Sequence, residues 1–335
     1  MPPSRTSFAS RRLWNPSAPD IASCTLVPVS RPPFRFAVLA GTIGSRSAWI
    51  DLAIRAESLG YTSLLVSDHF GRGRGPFSTL SAAATATGLT VGTLVLANDF
   101  RHPFVVADEA AGLAVLSEGR FELGIGTGWL RDDYRVAGIP LDPPRRRVDR
   151  LEEALIVIRG LWAEGPFRFE GEHYRADVAG SVLPDGLAPP RLLVAGSGRR
   201  LLGLAAREAD IVSITATAGE DSRDGFWRAM ADAGARIAER VAWVRAAAGR
   251  RSVELNVLLH EVAVTEDRAA TAAAVAAEAG VEADRVLSSP HVLIGTESEI
   301  AATLIDRRER LGISYIAVPE QWIHDLAPVV ARLAG

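Results

Sequence analysis

From Phe34 onward, apolar runs of strand length alternate with amphipathic stretches of helix length, eight times over. Strands are read at 34–39, 62–66, 89–97, 121–126, 191–196, 210–214, 253–259 and 315–319. Helices are read at 48–60, 77–88, 105–119, 146–162, 199–208, 226–248, 298–311 and 322–333. In 146–162, for example, Val148, Leu151, Leu155, Ile158 and Leu161 recur at three- and four-residue spacing and form a core stripe. Repeated βα units require a parallel sheet covered on its faces. Eight of them favour a closed α/β barrel of the (β/α)8 TIM type over an open sheet. A chain of 335 residues, 48% hydrophobic, is long enough to fill one such barrel. Two stretches fall outside the alternation: FRFEGEHYRA (167–176), a hairpin with a glycine turn, and an Ala-rich helical segment at 266–279. The barrel domain is therefore expected over 34–335, with insertions.

Residues 1–33 are rich in Ser, Pro and Arg, with Asp20 their only acid. They read as a disordered N-terminal tail, or as the product of a start codon placed too far upstream. No apolar core follows the Arg11–Arg12 pair, which argues against a secretory signal.

Charge excludes several function classes. The net charge is -3 and every Lys+Arg residue is an arginine, so neither a basic nucleic-acid surface nor lysine Schiff-base chemistry is expected. Cys24 is the single cysteine, which rules out an intrachain disulfide or a Cys-based zinc site and fits a cytoplasmic setting. No apolar run reaches membrane-spanning length, so no membrane partner is expected. There is no His-x-His pattern, so a metal-dependent barrel hydrolase is disfavoured and no metal site is expected.

In a (β/α)8 barrel the site lies at the C-terminal ends of the strands. Asp68 and His69, in YTSLLVSDHF, occupy that place on the second strand. A histidine there is suited to giving or taking a proton near neutral pH. The plainer alternative is that Asp68 caps a turn and His69 bonds a carbonyl. GIGTGW (124–129) places Gly126, Thr127 and Gly128 at a strand end, where glycines let backbone N–H groups approach a ligand. Its spacing is not that of a dinucleotide-binding turn. VAGSGRR (194–200) opens a helix with Gly196, Ser197 and Gly198, a setting that favours an anion. The Arg145–Arg147 run reads as a solvated first turn paired with Glu152 and Glu153.

Taken in order, YTSLLVSDHF, LTVGTLVLAND, GRFELGIGTGW, the helix ending RGLW, and PPRLLVAGSG resemble the bacterial luciferase-like superfamily. The likeness spans about residues 34–330 and is nearest to oxidoreductases that use the deazaflavin coenzyme F420. The resemblance implies that His69 is the catalytic base or acid and that Asp68 contacts the cofactor. It implies a bulge at the end of the third strand, often with a non-prolyl cis peptide, which here matches Leu94–Val95. Leu94, Val95, Ala97, Asn98, Gly126, Thr127 and Gly128 would then face the ring. Ala195, Gly196, Ser197 and Gly198 would hold the phosphate-bearing tail.

Sugar-phosphate dehydrogenases of this family have an acid where Trp129 stands, and they grip the substrate phosphate with lysines, which this chain lacks. An apolar or aromatic small molecule is expected instead, lined by Phe70, His102, Trp129 and Tyr134, with Phe100 nearby. The rival on the same fold is an FMN-dependent monooxygenase; a flavin-binding protein without turnover is a further alternative. Family habit implies a homodimer through the early helices.

Overall fold

A computed structural model describes residues 32–71, 75–216 and 223–334, so the N-terminal tail reading falls almost wholly outside the described residues. The strands are β1 (Arg35–Ala40), β2 (Ser63–Val66), β3 (Thr90–Thr93), β4 (Leu96–Ala97), β5 (Phe121–Gly126), β6 (Phe167–Glu170), β7 (Arg175–Val178), β8 (Arg191–Gly196), β9 (Ile211–Ile214), β10 (Glu254–Leu258), β11 (Glu261–Val264), β12 (Val292–Gly295) and β13 (Ile313–Pro319). The helices are α1 (Arg46–Ser58), α2 (Pro76–Ala86), α3 (Pro103–Leu116), α4 (Arg131–Ala137), α5 (Pro144–Trp162), α6 (Arg199–Glu208), α7 (Arg223–Ala248), α8 (Arg268–Ala279), α9 (Ala283–Ser288), α10 (Glu297–Leu311) and α11 (Ile323–Leu333). Among the described residues no helix is long and apolar enough to cross a membrane.

The main sheet runs β3-β2-β1-β13-β10-β9-β8-β5-β4, and β3 also pairs with β5, so the sheet closes on itself. All its pairings are parallel, as expected for a (β/α)8 barrel, with β3 and β4 sharing one strand position. The period-two alternation sorts side chains between two cores. Along β1, Phe36, Val38 and Ala40 pack outward against the helices, while Ala37 turns inward with Leu65, Leu193, Tyr315 and Ala317.

The strand expected at 89–97 is broken in the middle. Gly92 pairs with Glu122 and Leu96 with Ile125, so four steps on one strand face three on the other, and a bulge takes up the extra residue. The Leu94–Val95 peptide within it is cis. Thr93 stands in for the interrupted ladder: its hydroxyl donates to the Gly124 carbonyl at 2.7 Å and accepts from the Gly124 N–H at 2.9 Å. This contact requires glycine, because a Cβ at position 124 would lie 1.8 Å from the Thr93 carbonyl oxygen. Gly124→Ala is expected to cost about 3 kcal/mol or more, the upper end for overpacking a core. A chemical-unfolding midpoint within error of wild type would refute this.

At the opposite end of the barrel a charge cluster plugs the floor. Arg35 bridges Glu122 at 2.7 Å and Glu254 at 2.9 Å, and Arg191 reaches the same two carboxylates. Tyr315 donates to Glu122 at 3.1 Å, and burial followed by that charge pushes its phenol well above the usual range.

Both insertions differ in detail from the sequence reading. The hairpin pairs β6 with β7 antiparallel, and its turn is pinned by Glu153, which accepts N–H groups of Glu172, His173 and Tyr174 at 2.8, 2.8 and 3.0 Å. Burial pushes the Glu153 carboxyl up, but these donors outweigh it and its pKa is lowered. The late insertion is more than a helix: β11 and β12 form a parallel pair, and α8 and α9 pack a separate small core around Ala272, Ala276, Val286 and Ile294.

Candidate active site

β2 delivers Asp68 and His69 to the barrel mouth. Asp68 is buried, and its carboxylate takes both terminal nitrogens of Arg101 at 2.6 and 2.9 Å and the Ala97 N–H at 3.1 Å. It thereby ties the end of β2 to the segment that follows the bulge. His69 has a different partner. Its Nδ1 lies 2.6 Å from Oδ2 of Asp133, on α4, whose Oδ1 accepts the Phe70 N–H at 3.2 Å. Trp129 meets the His69 ring edge-on at 6.0 Å. An aromatic row continues the wall: Phe70 lies 4.7 Å from Phe100, and Phe100 lies 5.1 Å from Tyr134, between ring centroids. Phe70 is 43% exposed and Trp129 51%. Exposed aromatics flanking an imidazole are the kind of surface a flat or apolar ligand covers.

The bulge forms the neighbouring wall. Leu94 donates its N–H to the Val66 carbonyl at 2.8 Å, and Val95 packs over Gly126, where a Cβ would meet Val95 Cγ2 at 3.0 Å. Ala97 and Asn98 follow. The Asn98 side chain is turned to the hairpin insertion, donating to the Tyr174 hydroxyl at 3.1 Å. His102 caps α3, its Nδ1 accepting the Phe104 N–H at 3.2 Å, with its ring edge-on to Tyr174 at 5.3 Å.

The Gly126-Thr127-Gly128 loop is held from behind. Gly128 has φ of +72°, and a Cβ there would lie 2.1 Å from the Tyr134 hydroxyl. That hydroxyl sits 3.0 Å from Asp99 Oδ2 and 3.2 Å from the Thr127 carbonyl; burial, then the Asp99 charge, raises its pKa. Asp99 also pairs with Arg150 at 2.8 Å, and Arg150 with Asp142 at 3.0 Å. Arg147 donates to the carbonyls of Thr127 and Gly128. This corrects the reading of the Arg145–Arg147 run: Arg147 is a buttress of the loop, Arg146 pairs with Asp142 at 3.8 Å, and Glu152 and Glu153 serve Arg200 and the hairpin turn.

The carbonyls of Thr127 and Gly128 face Arg147, so the N–H groups of the same trans peptides, those of Gly128 and Trp129, point the other way. Among the described residues neither has a protein acceptor. Across the mouth, β8 runs through Ala195 into Gly196 and Ser197, and α6 starts after Gly198 with no side-chain cap. Open space surrounds Gly198. Unsatisfied donors at two strand ends suit a ligand with carbonyl and phosphate oxygens. The remaining chemistry is proton transfer at His69.

The sequence points to His69, the bulge and the glycine loops, but not to Asp133, Arg101, Tyr174 or the Asp99–Arg150 pair. Asp132 and Asp133 stand in a helix of seven residues, too short for periodicity to mark which of them turns inward. His260 and His291, which nothing in the sequence pairs, have ring centroids 5.6 Å apart.

Comparison with known proteins places the chain in a family and a fold. The family model for luciferase-like monooxygenases matches residues 31–313. An F420-dependent glucose-6-phosphate dehydrogenase of Intrasporangium calvum is 37% identical over 183 residues, 51% of this chain and 54% of that protein. The chain thus spans about half the length of the curated relatives it matches. An F420-dependent secondary alcohol dehydrogenase, solved with an F420-acetone adduct, superposes with a TM-score of 0.70 at 20% identity, covering 91% of this chain and 100% of that one. The monooxygenase RslO1 from Streptomyces bottropensis superposes with a TM-score of 0.66 at 24% identity, covering 89% and 97%. At these identities the superpositions show the shared fold. With the family model matched from before β1 into β13, the chain belongs to the luciferase-like monooxygenase family.

Proposed function

We propose that this chain is an oxidoreductase that uses coenzyme F420 and exchanges a hydride with an apolar or aromatic small molecule, with His69 as the proton-transfer residue. The observation that carries the reading is the placement of His69: an anchored imidazole at the end of β2, edge-on to the exposed Trp129. The backbone of Leu94, Val95, Ala97 and Asn98 would lie against the ring. Gly126, Thr127 and Gly128 would flank it with the free N–H groups of Gly128 and Trp129. Ala195, Gly196, Ser197 and Gly198 would hold the phosphate-bearing tail at the start of α6. When bound, the deazaflavin supplies or takes the hydride at its C5. His69 gives the proton to the reduced group or takes it from the oxidised one. Asp68 acts through the bulge, since Arg101 and the Ala97 N–H engage its carboxylate. Trp129 and Phe70 exclude water and cover the substrate. A phosphorylated sugar fits poorly, because the chain has no lysine and Trp129 offers no charge.

Family members that are monooxygenases share this fold, so FMN is the rival cofactor. A deazaflavin, with carbon at position 5, reacts poorly with dioxygen, and the two readings therefore separate cleanly. Fluorescence titration of the purified protein should show tighter binding of F420 than of FMN or NADPH. Equal or tighter binding of FMN, with oxygen consumption when it is reduced, would replace this reading with the monooxygenase.

A further inference from the structure

We infer that Asp133 is a positioning residue that fixes the tautomer of His69, so that Nε2 is the one ring nitrogen at which the proton is exchanged. The inference rests on the proton-transfer role proposed for His69. Asp133 touches the imidazole at the barrel mouth and has no place among the groups expected to contact cofactor or substrate. The His69 side chain is 26% exposed and that of Asp133 only 9%, so the carboxylate holds the ring from its buried side.

The argument turns on donors and acceptors. An ionised carboxylate only accepts hydrogen bonds. At 2.6 Å from Oδ2, Nδ1 must therefore carry the proton. Neutral imidazole has one N–H, so Nε2 then presents a lone pair, and it gains a proton only when the ring becomes imidazolium. His69 has no other hydrogen-bond partner among the described residues, so Nε2 is left for a ligand. The carboxylate itself cannot rotate away without loss: its Oδ1 accepts the Phe70 N–H at 3.2 Å. Phe70 follows His69 directly, so one carboxylate grips both the ring and the backbone beside it. Asp133 is fixed in turn by α4, whose next residue, Tyr134, is moored to Asp99.

This arrangement makes the isosteric Asp133→Asn change decisive. The Phe70 N–H is a donor, so it selects the amide oxygen of Asn for the position of Oδ1. The amide nitrogen must then face Nδ1, and as a donor it forces Nδ1 to give up its proton. The neutral ring switches to the Nε2–H form, with nothing to accept a proton at the exchange position. The buried aspartate of serine proteases sets the tautomer of its histidine in the same way.

Ring ¹⁵N spectra of the cofactor-free protein, at alkaline pH where imidazole is neutral, read the tautomer directly; His69→Gln assigns the signal. The expected result is Nδ1–H in the wild type and in Asp133→Glu, and Nε2–H in Asp133→Asn. Turnover of Asp133→Asn should fall about 10²-fold with KM and cofactor affinity nearly unchanged, and Asp133→Glu should recover part of it. An Nε2–H tautomer in the wild type, or an unchanged tautomer in Asp133→Asn, overturns the inference. Should Asp133→Asn not fold, the wild-type tautomer and Asp133→Glu still decide it. Because the spectra need neither cofactor nor substrate, a switched tautomer with turnover indifferent to both Asp133→Asn and His69→Ala would leave the pairing standing and remove the proposed role of His69.

Discussion

Replacing His69 with alanine is expected to lower turnover by about 10²–10⁴-fold, the usual share of general acid–base catalysis, while melting temperature and F420 affinity stay close to wild type. The geometry supports this separation. The His69 ring packs edge-on to Trp129 and is partly exposed, so truncation removes little buried apolar area. Among the described residues its side chain bonds only to Asp133, which keeps the Phe70 N–H when the ring is gone. The residues proposed to hold the cofactor lie on the bulge before β4, on β4 and the residue after it, on the loop after β5, and on β8 with the start of α6, and among the described residues none bonds to the His69 side chain. A histidine that merely ends a strand predicts the reverse: stability falls, and the rate per folded molecule is unchanged. One preparation, measured for melting temperature, cofactor affinity and turnover, separates the two. Full turnover in well-folded, cofactor-loaded His69→Ala would end the proton-transfer reading.

How much of this was legible in the sequence depended on how local the cause was. The strands at 121–126 and 191–196 match the sequence reading to the residue, because each is a short apolar run closed by a glycine, Gly126 and Gly196. The bulge at Leu94–Val95 was located by resemblance, yet its physical requirement, the glycine at 124 facing Thr93, lies on another strand. Side-chain partners followed the same rule. Asp133 is 64 residues from His69, and Arg101 is 33 from Asp68. No pattern of short period connects such pairs; only closure of the barrel brings their strand ends together. The arginines were misread for a related reason. A run at a helix start looks solvated in one dimension, whereas Arg147 reaches back across the mouth to carbonyls on the loop after β5. The pair β11–β12 has no mark in the sequence because its two four-residue strands lie on either side of the Ala-rich segment, with Glu261 paired to Val292, and each is too short to stand out.

The second large effect concerns stability in mild acid, and it arises from the His260–His291 pair at the end of β10. His291 is fully buried, with Nδ1 2.8 Å from the Leu258 carbonyl and, among the described residues, no hydrogen-bond partner at Nε2. Burial, then His260 and the charges of Arg240 and Arg307, pushes its pKa down to about 3, against the partial support of that carbonyl. Burial pushes His260 down to about 4. Both rings are thus held neutral in the fold. In the unfolded chain they protonate near pH 6.5. Below that pH the unfolded state binds protons that the native state refuses, so stability is complete above it and is lost as pH falls toward 4 and 3. At pH ~5 a fully shielded histidine costs about 2 kcal/mol. His260 keeps some solvent contact, so its share is the smaller one. Glu261 works in the opposite direction: burial raises its carboxyl, and its protonation relieves the native state as pH falls. Carboxylates held low, such as Glu153 and Glu299, titrate further down and leave this window to the histidines. The expected result is a loss of about 2–4 kcal/mol in unfolding free energy between pH ~7.5 and pH ~5. His291→Asn, whose amide N–H₂ can still donate to the Leu258 carbonyl but does not titrate, should start less stable and lose less than half as much over the same interval. Equal losses in wild type and variant would show that the acid sensitivity has another source.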